Sequence, residues 1–383
     1  MFLGVAGAWW YLPEETLAPI KQLLGFRVES RAIDFVPSDA LVFTSVNPSF
    51  GDLASFAKLK PIFEKNPAYV KALNNLAQSY TPGYGVEFER DVKQWLGGEI
   101  AIALIDFPNE STDFYSIPNI VTLAAIRDQT QADETVARVR QAAADKGWRF
   151  ITETHQGVAI VTSLPPTPTA RFAPTQPGGA HAMLQGWLLY GTNAATLKKA
   201  IDTKLTGSQR SLKSNDKYNA VLNRLPKERA AALFVDLGAL LKQVYKRDAE
   251  NTAALDNVQG LGLAVSFRDD GVRLDYYTVF DQQRTPPAFK KLLATYRPNP
   301  SSALEGLPAA TIFMLGTQDL KAQWDYHTES LNATQQESLR KSRSDFKAQT
   351  GVDLDEDVFA WLTGEYAIAL VQKPIPASPN PSS

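Results

Sequence analysis

The chain has 383 residues, a net charge of −2, 44% hydrophobic and 21% charged residues, and no cysteine. That length supports two domains with real cores, and the composition is that of a folded chain, not a disordered one. The near-neutral balance argues against general nucleic-acid binding, which needs a basic face, and the missing cysteines exclude thiol nucleophiles, disulfides and thiolate metal sites.

Residues 2–12 read FLGVAGAWWYL, an apolar run that ends in Trp9, Trp10 and Tyr11 just before Pro13. As a helix it covers roughly half of a hydrocarbon core, yet consecutive aromatics are what a chain presents where it leaves a bilayer. No basic residue precedes the run, unlike a complete signal peptide, although Ala6-Gly7-Ala8 suits a cleavage site. The preferred reading makes residues 1–12 the end of an N-terminal membrane anchor; the alternative is an apolar first helix packed on the domain. Residues 13–35 follow as a linker helix.

A first α+β unit is expected over 36–284. Val36-Pro37, Leu225-Pro226 and Leu307-Pro308 each precede alanines and a short apolar run (41–46, 230–235 and 311–315), and each run leads into a helix-like stretch. Proline is tolerated at a strand's first residue, so strand followed by helix is the recurring block. Residues 57–80 read as a helix, stopped by Pro82, Gly83 and Gly85. A short helix then places Val92, Trp95 and Leu96 on one buried face, Gly97 and Gly98 end it, and Glu99 opens a strand.

Further on, 117–126 is strand-like, 131–146 is an alanine-rich helix, and 148–154 with 157–162 form a hairpin. Residues 163–180 make a proline-rich loop, 181–191 resume a strand, and 193–204 are helical. The clearest hairpin joins 258–268 to 272–280 through Asp269-Asp270-Gly271. Residues 285–307, with four prolines, mark a boundary. A partial second unit follows over 308–373, then a disordered tail at 374–383. Frequent hairpins without a strict βαβ rhythm favour an α+β fold, mainly antiparallel sheet with packed helices.

The segment 85–104, GVEFERDVKQWLGGEIAIAL, returns at 351–370 as GVDLDEDVFAWLTGEYAIAL. At an offset of 266, set by Trp95 and Trp361, 12 of 20 positions are identical. Unrelated segments share about one or two. The chain thus reads as one full repeat unit and the start of a second, which is either degenerate or cut short and should leave a sheet edge unpaired.

These residues, led by their proline-preceded strands, resemble the cyanobacterial family of domain of unknown function 3352. The resemblance spans nearly the whole chain from Val36. It implies a membrane-anchored chain of two tandem units with a large extracytoplasmic part, on the periplasmic or thylakoid-lumen side. It brings no catalytic residues with it.

A search for chemistry turns up little. Asp353, Asp355 and Asp357 hold positions 1, 3 and 5 of an EF-hand loop, but Val358 stands where glycine is required and Gly364 where glutamate is. Helix-start electrostatics is the better account of those acids. Glu99 and Glu365 fit a structural role, accepting bonds from free amides at a turn, and Trp95 and Trp361 read as core anchors. Asp91, Trp95, Gly98 and Glu99, with Asp357, Trp361, Gly364 and Glu365, are therefore a structural motif. No catalytic, metal or cofactor-binding residue is assigned, and no cofactor is expected. His155, His181 and His327 are scattered, and the Ser-x-x-Lys matches at Ser55/Lys58, Ser214/Lys217 and Ser338/Lys341 lack supporting elements.

Three functions remain. The first is a non-catalytic, membrane-anchored extracytoplasmic binding or scaffold protein of the cell envelope, whose partners are the membrane through the N-terminus and an envelope protein or lipid, not nucleic acid. The second is a carrier of an apolar ligand, lipid or pigment, held in a sheet–helix cavity lined from Phe150 to Tyr190. The third is a hydrolase assembled only in three dimensions, which a carboxylate in reach of His155 or His181 would favour.

Overall fold

The computed structural model describes residues 30–48, 88–107, 118–166, 179–244, 258–268, 271–281, 283–296 and 302–371, with isolated positions at 61–67. The expected anchor, most of the linker helix, the proline-rich tail and nearly all of the 57–80 helix lie outside them. The chain divides into two compact units, Met1–Asp281 and Gln282–Ser383.

The first unit is built on ten strands: β1 (Val42–Val46), β2 (Leu96–Asp106), β3 (Asn119–Ile126), β4 (Arg149–His155), β5 (Val158–Leu164), β6 (Ala180–Leu184), β7 (Trp187–Gly191), β8 (Ala231–Val235), β9 (Val258–Arg268) and β10 (Gly271–Phe280). They form one sheet in the order β10-β9-β8-β1-β2-β3-β7-β6-β5-β4, antiparallel at every junction. The fold is α+β.

Side-chain alternation gives this sheet two different faces. In β2, Glu99, Ala101, Ala103 and Ile105 are buried, whereas Ile100, Ile102 and Leu104 are half-buried. Ala101 and Ala103 join Val121, Leu123, Ile160, Ala182 and Leu189 in the main core. Helix α2 (Ala194–Thr206) supplies Leu197, Ala200 and Ile201 to it. Asn193 starts that helix by accepting from the Thr196 amide at 2.8 Å. Each buried Leu or Ile of this stripe contributes about 1.5–3 kcal/mol. A smaller cluster sits on the opposite face, where Trp95, Leu96 and Ala132 of helix α1 (Gln129–Ala144) meet Ile100, Ala124, Met183 and Leu188. Two shorter helices, α3 (Asp216–Leu222) and α4 (Leu237–Val244), complete the described elements of this kind.

The second unit contains α5 (Pro287–Thr295), β11 (Thr311–Gln318), α6 (Leu320–Glu329), α7 (Ala333–Thr350) and β12 (Glu365–Val371). Its described sheet has two strands, β11 and β12, paired antiparallel. Asn332 and Gln335 close a reciprocal capping box at the start of α7, and Gly351 ends it at φ 76°.

Two sequence expectations need correction. Residues 181–191 are not one strand but the hairpin β6–β7, because Gln185 and Gly186 both take positive φ (50° and 77°) and turn the chain back. The segment before Glu99 is not a helix carrying Val92, Trp95 and Leu96. It is a single π turn, Phe88–Val92, and β2 begins at Leu96, with Gly97 and Gly98 inside the strand. Tertiary pairing overrides the helical spacing: Leu96 pairs with Ile126 of β3, and Ala125 lies so close to Gly97 that a β-carbon there would stand 3.1 Å from it.

Candidate interaction surface

The two motif segments share a π turn and the strand pairing that follows it, and differ in between, where β2 already begins at Leu96 but β12 only at Glu365. A π turn spans Phe88–Val92 in one and Leu354–Val358 in the other, again at an offset of 266. The strand that follows pairs with its proline-led neighbour in one register. Val42↔Leu104, Phe43↔Ala103, Thr44↔Ile102, Ser45↔Ala101 and Val46↔Ile100 correspond in turn to Phe313↔Leu370, Met314↔Ala369, Leu315↔Ile368, Gly316↔Ala367 and Thr317↔Tyr366. Ahead of those strands, the Ala40 amide donates to the Pro37 carbonyl at 3.1 Å, as the Thr311 amide does to Pro308 at 3.0 Å.

The motif carboxylates are engaged by protein groups. Glu99 is buried and accepts from the Arg31 amide at 2.9 Å and from the Ser30 hydroxyl. Glu365 accepts from the Ser302 amide, also at 2.9 Å, and from its hydroxyl. Asp91 is buried and holds Arg138 at 2.8 Å and Arg90 at 2.7 Å, while its carbonyl accepts from Thr135. Its counterpart Asp357 accepts from the Asp353 amide at 2.7 Å.

The other acids of the motif are spent in the same way. Asp353 accepts from the Asp355 and Glu356 amides, capping the π turn. Asp355 accepts from Trp324 Nε1 at 2.6 Å and Arg343 at 2.9 Å. The Arg343 guanidinium lies 4.8 Å over the Trp324 ring, which also stacks on Phe359 at 4.1 Å. Among the described residues no group of three or more acidic or histidine side chains could hold a metal ion.

One expectation about the motif fails. Trp95 is 4% exposed, as a core anchor should be, but Trp361 is 68% exposed. The indole of Trp95 is covered from distant sequence, by Ala132 of α1, Met183 of β6 and Leu188 of β7. The second unit offers no such layers among its described residues. Trp361 instead donates Nε1 to the Asp357 carbonyl at 2.9 Å, whereas Trp95 Nε1 has no partner among the described residues.

The same difference exposes the ribbon β11–β12. Phe313, Leu315, Ile368 and Leu370 share one face and are 58–65% exposed. Sequence inspection overlooked this surface because its residues read as core: the same strand in the first unit is sheltered.

A cleft in the first unit is lined by Ser30, Ser45, Asn47, Gly98, Glu99 and Arg229, among others, and encloses about 40 Å³. That is room for a water or two, not for an organic ligand. Burial lowers the pKa of Arg229, whose guanidinium donates to the Pro226 carbonyl.

His155 does meet a carboxylate, Asp202 Oδ1, at 2.6 Å. Gln156 donates to the same oxygen, so the contact ties the β4–β5 turn to α2. No hydroxyl of the described residues completes a triad with it. In the one Ser-x-x-Lys match whose two bonds are defined, Ser214 donates to the Ser211 carbonyl and Lys217 pairs with Asp236.

These elements define an α+β protein with a large antiparallel sheet and an open apolar ribbon. The family model described as Protein of unknown function (DUF3352) matches residues 1–382, and the chain belongs to that family. No curated protein matches. Among solved structures, crystal forms III and I of TP0453 are each 8% identical, cover 70% of this chain and 87% and 85% of their own, and superpose with a TM-score of 0.34.

Proposed function

We propose that the chain is a non-catalytic binding or scaffold protein of the cell envelope, anchored in the membrane through its N-terminus and facing the extracytoplasmic side of a cyanobacterial cell. The observation that carries the binding role is the ribbon face of Phe313, Leu315, Ile368 and Leu370. Contiguous apolar surface of this kind marks contact with another macromolecule more often than idle exposure. The engagement of Glu99, Glu365, Asp91 and Asp357 by backbone and arginine groups supports a structural use of the motif over a chemical one. The two register-matched strand pairs support a tandem arrangement of related units.

The anchor rests on the apolar, aromatic-ended run at residues 2–12. No helix of the described residues is long and apolar enough to cross a membrane. Fractionation of the native full-length product tests this part: it should sediment with membranes and be released by detergent. Recovery as a soluble cytosolic protein overturns the envelope reading. Native purification from membranes, followed by protein and lipid mass spectrometry on one sample, tests the binding role. A stoichiometric protein component supports it, and bound lipid alone would replace it with the carrier.

A further inference from the structure

Among the described residues of the first unit, the large apolar side chains that stay exposed are Ile151, Tyr190, Leu205, Val272, Leu274 and Tyr276. The first three lie on three different elements, β4, β7 and α2, and surface hydrophobics scattered in this way are ordinary. The other three are alternate residues of one strand, β10, so they project from the same face of the sheet. Leu274 and Tyr276 are each 65% exposed. Val265 and Leu263 of β9, their paired neighbours on that face, are half-buried. The face therefore opens toward the margin of the sheet. The margin itself is guarded, because Arg273 and Asp275, paired at 2.7 Å, put charge on the outer strand and resist a further one. It is the face of β10, not its edge, that is available.

The row that holds Leu274 leads back to the place where the N-terminal segment joins the sheet. Leu274 pairs with Val265, Val265 with Ala231 and Ala231 with Val46. Three strand spacings, about 15 Å, separate the two ends of this row. Ser30 lines a cleft together with Val46 and Ala231, and its hydroxyl donates to Glu99. Residues 13–29 reach at most about 60 Å when fully extended. A chain held in a bilayer by residues 1–12 thus keeps the face of β10 within reach of that same bilayer.

We propose that Val272, Leu274 and Tyr276 rest on the lipid surface of the membrane that anchors the chain, the two aliphatic side chains at the acyl boundary and the Tyr276 ring at headgroup level. The contact rests on the reading of residues 1–12 as a membrane anchor. Magnitudes favour lipid over a protein partner. Three side chains offer roughly 300 Å², well below the about 800 Å² that each side of a stable protein complex contributes. A tethered surface needs far less, since the anchor makes the contact intramolecular and effective concentration stands in for area. Arg273, the cation of this strand, is engaged by Asp275, so the attraction is apolar and independent of salt.

The chain has no cysteine, so one introduced thiol carries one fluorophore. The full chain is reconstituted into phosphatidylcholine vesicles with an environment-sensitive dye on Leu274→Cys or on Ile151→Cys, the latter 56% exposed on the outer strand at the other side of the sheet. The dye at position 274 should shift to the blue and lose about half or more of its emission to spin-labelled lipid, equally in low and high salt. The dye at position 151 should do neither. Tyr276→Asp added to Leu274→Cys should remove most of the quenching without lowering the melting temperature, since the ring it replaces is exposed. Equal quenching at both positions, or none at 274 in a chain that sediments with the vesicles, overturns the contact and leaves the anchor standing. A chain that stays in the supernatant overturns both. Shielding at 274 that appears only when a second protein is added gives the face to a protein partner and overturns the lipid contact.

Discussion

The backbone amide of Arg31 donates to the buried carboxylate of Glu99 at 2.9 Å, fixing the chain's approach to β1 against the start of β2. Glu99→Ala leaves that amide and the Ser30 hydroxyl without their acceptor, beside a cleft with room for only a water or two. The expected loss is about 1–3 kcal/mol. Glu365→Ala removes the matching bond to exposed Ser302 and should cost no more than about 1 kcal/mol, since water replaces the carboxylate. Urea denaturation of both variants checks the contrast.

Trp95→Ala opens a cavity among Leu96, Ala132, Met183 and Leu188 and should cost about 3–5 kcal/mol. Trp361→Ala removes a mostly exposed ring and one hydrogen bond, so about 1 kcal/mol is expected. Thermal unfolding gives the stabilities. Acrylamide quenching should fall when Trp361 is removed and stay nearly unchanged when Trp95 is.

Gly97→Ala drives a β-carbon against Ala125, whose side chain and carbonyl both stand 3.1 Å away. Strands β2 and β3 must part locally, at a cost of about 1–3 kcal/mol. Thr363→Ala, at the matching position, should stay within about 0.5 kcal/mol of the parent protein. Denaturant midpoints decide it. Equal effects at both sites would mean that β2–β3 contact is not what requires glycine.

Burial, with the nearby charge of Arg140 second, lowers the pKa of His181 to about 4. The folded chain therefore holds this ring neutral at neutral pH, paired in the sheet between Val161 and Tyr190. Unfolded, it titrates near 6.5. As pH falls through about 6.5 the unfolded chain gains a proton that the folded chain refuses until about 4. Stability from this residue is whole above that window, falls across it by up to about 3 kcal/mol, and levels off below. Subtracting the pH–stability curve of His181→Gln isolates the slope. An unchanged slope in that variant would assign it to other groups.

Much of the fold was legible because it is locally encoded. Gln156-Gly157 turns β4 into β5, Asn193 and Asn332 start helices by accepting from amides three residues on, and the run 258–280 alternates around its turn. Gln185-Gly186 carried the same turn signal as Gln156-Gly157 but lay inside an apolar run that read as a single strand. The segment 92–98 misled for another reason: Val92, Trp95 and Leu96 are spaced for a helix, yet pairing with β3 draws Leu96 into the sheet. The exposed ribbon was hidden because AIAL is common to both strands, and β2 has two neighbours whereas β12 has one among the described residues.

Sequence alone determined the α+β class, most of the hairpins and the correspondence of residues 85–104 with 351–370, since side-chain period, turn chemistry and identity are all written along the chain. Only the tertiary structure decided that Trp95 is enclosed and Trp361 is exposed, and that β2 has a strand on each side where β12 pairs with β11 alone among the described residues. Burial belongs to whatever distant segments arrive to cover a residue, and two stretches identical at 12 of 20 positions met different surroundings.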